Sequence, residues 1–254
     1  MTRQPRTRAD LLAVIQRMTD SQVGQLTDIA NAMMRPMHEQ LLPGSDITVP
    51  AFAEQFRARL QAHHGTHTTA MDRLSFENAL VAALESAGHA VEPAPSATTR
   101  FWDLRLDGGR ISAKSTAAKD LRYDVIHISK LCEAAWIQDC RSATSRQAKT
   151  VELFTDFLGV VRRWFLLRAF TLPGGFRYEL VEIPVSIFEN ILTVPKHLFI
   201  SDAPRIDVSG NDGARLFQLR LDRSDAKITI AQLRREICTI HGEWRLHTNG
   251  PRAD

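Results

Sequence analysis

Two short runs of alternating apolar residues, FWDLRL and RISAKST, flank the dipeptide Gly108-Gly109, a pattern that fits an antiparallel hairpin over residues 101–116. Side chains on a strand alternate between faces with period two, so Ser112 and Lys114 share one face of the second strand. Asp103 sits on the first strand, close enough across the hairpin to point at the same spot. A carboxylate and an ammonium group converging there read either as an ordinary surface ion pair or as two thirds of a metal-dependent phosphodiesterase site.

Around the hairpin the pattern alternates between helix and strand. ADLLAVIQRM, VGQLTDIANAMMRPM and VPAFAEQFRARLQAHH read as helices, broken by Pro43-Gly44 and Ser45-Asp46. MDRLSFENALVAALESAG predicts an amphipathic helix with Leu74, Phe76, Leu80, Val81 and Leu84 on one face and Gly88 as its stop. HAVEP is extended and leads through a Pro/Ser/Thr loop to about residue 99. After the hairpin, DVIHISKLCEAAWIQDC predicts a strand-like start running into a helix. VELFTDFLGVV is helical, and WFLLRAF is apolar enough for a buried helix or a central strand. FRYELVEI alternates as a strand ended by Pro184, and ARLFQLRLD and AKITIAQL predict two more. The sum is an α/β fold, a mixed sheet flanked by helices. A helical N-terminal part, residues 1–70, precedes a core of 71–254, and no linker clearly separates the two.

The 254 residues, 44% hydrophobic, are enough for a real core, and no apolar run approaches the length of a membrane span. The N-terminus lacks a long apolar stretch and a small-residue cleavage site, and three cysteines without metal-type spacing do not suggest a disulfide framework. A cytoplasmic protein is expected. The net charge of +3 is concentrated: residues 100–168 carry 13 Lys/Arg against 8 Asp/Glu, while residues 1–99 carry 8 against 10. Such an excess is either a solvated face or the footprint of a polyanion.

A helix carrying Glu77, then a strand and hairpin with Asp103 and Ser112-Ala113-Lys114, then a helix, is the order found in the core of PD-(D/E)xK nucleases. Phosphodiester cleavage calls for Mg²⁺, a hard ion bound by carboxylates, carbonyls and waters. Asp103 is a bridging carboxylate candidate, and the backbone carbonyl of Ala113 can supply a second ligand. Lys114 would orient the attacking water and offset charge on the phosphate. The position two before the lysine, usually acidic in that pattern, is Ser112. The second carboxylate must come from elsewhere, with Glu77 first and Glu133 in KLCEAAW as runner-up. His63-His64 reads as a loop or helix-end pair, HGEW as a turn before a packed Trp, and Arg162, Arg163 and Arg168 as a basic lip that meets phosphates or caps a helix.

The blocks AHHGTHTTAMDRLSFENAL, FWDLRLDGGRISAKSTAAK, YDVIHISKLCEAAW, YELVEIPVSIF and ICTIHGEW, in this order from about residue 55 to 246, resemble the SmaI-type restriction endonucleases. The resemblance implies a type II enzyme acting as a homodimer on double-stranded DNA with Mg²⁺. It also implies a CCCGGG-type palindrome cut to blunt ends, and a companion methyltransferase that protects the host. Glu77, Asp103 and Lys114 fall in matching blocks, and Ser112 falls where the similar enzymes also lack an acid. Two-fold symmetry of the site suits two identical subunits, and guanine edges call for Arg or Lys donors. Arg141, Arg146 and Lys149 in RSATSRQAK, with Lys119 after the hairpin, are the candidates for DNA contacts; a solvated loop is the other reading of that stretch. The alternative functions are a DNA-binding homologue that is inactive or differently specific, and a repair or structure-specific nuclease.

Overall fold

In the computed structural model, which describes residues 7–96 and 99–247, WFLLRAF is a central strand. The chain begins with helices α1 (Arg8–Ile15) and α2 (Asp20–Met33), strand β1 (Met37–Leu41), and helices α3 (Pro50–Thr66) and α4 (Arg73–Ser86). Strands β2 (Val91–Pro93), β3 (Leu104–Leu106), β4 (Gly109–Thr116) and β5 (Val125–Glu133) follow, then helices α5 (Trp136–Asp139) and α6 (Ala143–Val160). Strands β6 (Arg163–Leu172) and β7 (Gly175–Ile183) come next, and 3-10 segments at Val185–Thr193 and Lys196–Phe199 lead to the last four strands. These are β8 (Arg205–Ser209), β9 (Arg215–Asp222), β10 (Lys227–Arg234) and β11 (Thr239–His247).

A 7-stranded sheet runs β1-β11-β7-β6-β4-β3-β2, with β4 parallel to β6 and every other pair antiparallel. A second, 4-stranded sheet runs β5-β10-β9-β8. The run from Trp164 to Leu167 in β6 is apolar because both faces of the strand are covered. Phe165, Leu167 and Ala169 pack with Phe52, Phe56 and Leu60 of α3 and Phe76, Leu80 and Leu84 of α4. Trp164 and Leu166 pack instead with Phe154 and Phe157 of α6 and with the inner residues of the second sheet, among them Ile128, Leu219 and Ile230. Each fully buried side chain of this size contributes about 1.5–3 kcal/mol. The mixed α/β arrangement is that of a restriction-endonuclease-like core, as the sequence pattern predicts.

Several local expectations need correction. The hairpin turns at Asp107-Gly108, not at Gly108-Gly109: both have positive φ, 48° and 84°, and Leu106 pairs with Gly109, which opens β4. Two adjacent left-handed residues suit the twist of the flanking strands. On α4, Leu74 is 65% exposed, and Ala79 and Ala83 take the inward positions beside Phe76, Leu80 and Leu84. HGEW is not a turn but part of β11, where Trp244 is fully buried and its indole donates to Glu39 at 2.7 Å. That contact also explains β1, which the sequence does not announce: a short edge strand after Pro36, held by the free edge of β11. VIHISKLCE is strand throughout, and the helix after it is the short α5. Residues 97 and 98 of the Pro/Ser/Thr loop lie outside the described residues.

Candidate active site

Three elements converge at the end of the hairpin. Helix α4 starts where it does because Asp72 caps it, accepting from the Ser75 amide at 2.7 Å, and this sets Glu77 one turn into the helix. Helix α4 packs on β4, sharing an apolar cluster with Ile111 and Ala113. Just before β3 the chain is held by the Asp103 amide, which donates to the Ile111 carbonyl at 2.8 Å.

The Asp103 carboxylate is the hub. Its Oδ2 accepts from the Ala113 amide at 2.7 Å and from Lys114 Nζ at 3.2 Å, with the Ser112 hydroxyl at 3.4 Å. Within a strand, one residue's N–H and C=O point to the same edge. The Ala113 carbonyl therefore faces the edge from which its amide reaches Asp103, past the end of β3. Ser112 is buried; Lys114 and Asp103 keep 19% and 13% of their side chains exposed. Glu77 reaches the same place from the helix. Burial and then the charge of Asp103 push its carboxyl above the usual range, with Arg73 and Lys114 opposing.

Arg73, which the sequence reading did not single out, lies between the two carboxylates. Its Nε is 3.3 Å from Glu77 Oε1 and its Nη1 is 3.9 Å from Asp103 Oδ1. The signal was available in RLSFE, where Arg73 and Glu77 stand at i,i+4 on one helix face. Neither contact is a full hydrogen bond: Glu77 Oε1 is buried without a hydrogen-bond partner. An orphaned buried carboxylate oxygen facing a second carboxylate is what a small divalent cation would satisfy. Among the described residues no group of three or more His, Cys, Asp or Glu side chains is gathered for a metal. Glu77, Asp103 and the Ala113 carbonyl would therefore hold the ion together with water, which suits Mg²⁺ because it gives up water reluctantly.

The remaining candidates are placed elsewhere. Glu133 is exposed at the end of β5, and Lys130 at 2.7 Å holds its carboxyl below the usual range. Arg141, Lys119 and Lys149 are exposed, Lys149 in contact with Glu152 at 2.7 Å. Arg146 is a correction. It is only 3% exposed and donates to the carbonyls of Cys140, Phe199 and Ile200 and to Asp202, tying α6 to the 3-10 turn. Four of its five N–H donors are engaged inside the protein in this way. Arg163 and Arg168 are likewise engaged by Glu182 and Glu179, while Arg162 is exposed. His63 and His64 lie in the last turn of α3, where His64 is buried against the Tyr178 hydroxyl at 2.7 Å.

A raised carboxyl predicts a trade between stability and activity. Glu77 costs the metal-free fold stability once ionised, so that cost is absent below its ordinary value of 4.5 and grows as pH rises through the raised value. At neutral pH, Glu77→Gln should raise the stability of the metal-free protein by about 0.5–1 kcal/mol while cleavage is lost. Urea unfolding at pH 4 and pH 7 checks it, since the gain should shrink at the lower pH.

A family model described as SmaI, type II site-specific deoxyribonuclease, matches residues 11–246. The chain is 29% identical over 212 residues to the type II restriction enzyme SmaI of Serratia marcescens, covering 78% of this chain and 81% of that protein. No solved structure is significantly similar to it.

Proposed function

The chain belongs to the SmaI family of type II site-specific deoxyribonucleases, and from that premise we propose that it cuts double-stranded DNA at CCCGGG, between the central C and G, leaving blunt ends. It works with Mg²⁺ and as a homodimer, each subunit cutting one strand of the palindrome. In this reading residues 1–70 are a mainly helical part, packed on a nuclease core of 71–254 and joined to its sheet through β1. The enzyme acts in the cytoplasm beside a methyltransferase that protects the host's own sites. Among the described residues no helix is long and apolar enough to cross a membrane.

The observation that carries the reading is the convergence of Glu77, Asp103 and Lys114 on the Ala113 end of β4. Glu77, Asp103 and the Ala113 carbonyl would hold the ion, which when bound supplies positive charge beside the scissile phosphate and a more acidic water. Lys114 keeps its ammonium group beside Asp103, where it orients the attacking water and stabilises charge building on the phosphate oxygens. The Ala113 amide fixes Asp103 through Oδ2, the oxygen that Lys114 also contacts, so that the carboxylate does not have to reorganise. Ser112, buried and turned to Asp103, supports that carboxylate and is not itself a ligand.

The test compares two plasmids that differ by a single CCCGGG, incubated with the protein and Mg²⁺, with the product ends mapped. A single blunt cut in the site-bearing plasmid alone is expected. Cutting at another palindrome would replace the specificity and keep the chemistry. Cutting of branched or damaged DNA only would favour a structure-specific nuclease, and tight binding in Ca²⁺ without cutting an inactive homologue.

A further inference from the structure

The outer face of the second sheet carries an arrangement that a sheet normally avoids. Arg205 on β8 and Arg220 on β9 are direct cross-strand partners, and like charges placed opposite each other destabilise a sheet. Thr229 on β10 is the next partner of Arg220, and its hydroxyl donates to the Ser129 carbonyl of β5 at 2.9 Å. The row of polar groups thus crosses all four strands. With His127 and Lys227 it lines a groove of about 440 Å³.

Nearby carboxylates do not answer this charge. Asp207 is taken by Gln218 at 3.0 Å and Arg215 at 3.6 Å, and Asp222 by the Ser224 hydroxyl at 2.8 Å and Lys227 at 3.7 Å. Arg220 itself gives only its Nε to Gln218, at 2.8 Å, which leaves the rest of its fork for another acceptor.

The groove is built partly on β5, the strand that follows the Lys114 strand in the chain: Lys227 and Ile228 pair with Glu133 and Cys132 at the end of β5, and His127 of the same strand lines the groove.

We propose that Arg205 and Arg220 hold a phosphate of the DNA backbone, making the outer face of the β5-β10-β9-β8 sheet a binding surface for the duplex. This rests on the reading of the protein as a DNA endonuclease. The phosphate is the counter-charge whose absence otherwise makes the Arg205–Arg220 pairing unfavourable. The contact is to backbone, so it adds affinity without reading sequence.

Binding of labelled duplexes in Ca²⁺, followed by fluorescence anisotropy across a salt series, tests the assignment. Arg205→Gln with Arg220→Gln should weaken binding about tenfold at low salt. The slope of log K against log salt should become shallower by about 0.9, the value for one phosphate no longer neutralised. The loss should be equal for a CCCGGG duplex and an unrelated one. The thermal midpoint of the free protein should hold or rise, because a repulsion has been removed, whereas a purely structural pair would lower it. Wild-type affinity and salt slope in the double variant would overturn the assignment, as would a loss confined to one sequence. Failure of the wild-type protein to bind any duplex would instead overturn the endonuclease reading beneath it.

Discussion

Asp103→Ala should abolish DNA cleavage, and Lys114→Ala should lower it by about a hundred- to a thousand-fold, while both variants still bind duplex DNA in Ca²⁺. The magnitude for lysine is that of one fixed group stabilising transition-state charge. The aspartate should cost more, because it touches most of the site: the Ala113 amide, Lys114 and, more loosely, the Ser112 hydroxyl and Arg73. Single-turnover cleavage of a supercoiled plasmid reads the chemical step directly. Equal cutting by both variants and the wild type would place the active site somewhere other than the hairpin. Unfolding is a rival cause for Asp103→Ala, since the carboxylate also holds the Ala113 amide. Asp103→Asn keeps the acceptor that receives that amide, and should be as inactive while melting close to the wild type.

Glu179→Gln should destabilise the protein by about 3 kcal/mol, the low end for removing one partner of a buried ion pair. For a chain of this length that is a fall in melting temperature of about 6–12 °C. Glu179 and Arg168 are both fully buried, 2.7 Å apart, and Arg235 adds a second guanidinium to Glu179 at 2.6 Å. Burial pushes the Arg168 guanidinium below its ordinary value, with the Glu179 charge opposing. Arg168 also donates to the carbonyls of Arg122, Tyr123 and Val125, so the pair fastens the stretch between the Lys114 strand and β5. Losing one charge strands the other; losing both does not. Arg168→Met with Glu179→Leu should therefore be less destabilising than Glu179→Gln alone. Denaturant unfolding of all three proteins checks the order, and additive losses would show that the two residues act independently.

The hairpin was legible because its signals are local. Period-two alternation, a Gly-rich turn and the Ser-x-Lys spacing put Ser112 and Lys114 on one face. The one-residue shift of the turn to Asp107-Gly108 leaves that face unchanged. Glu77 was legible for a similar reason, since its helix carries its own cap and stop. Arg146 shows the limit. Its long stem can lie inside while its guanidinium finds carbonyls, and nothing in RSATSRQAK tells a buried arginine from one facing DNA. Leu74 shows the converse, an apolar residue left outside because it lies about half a turn round α4 from Phe76.

The sequence by itself determined the strand and helix periods, the α/β class and the residues of the hairpin, because these depend on neighbours a few positions apart. Only the tertiary structure decided the pairing of β1 with β11, the separate second sheet, the meeting of Glu77 with Asp103, and the facing of Arg205 with Arg220. Each of those joins residues distant along the chain. Their contact is set by which apolar faces bury against which, a property of the packed whole that no local pattern encodes.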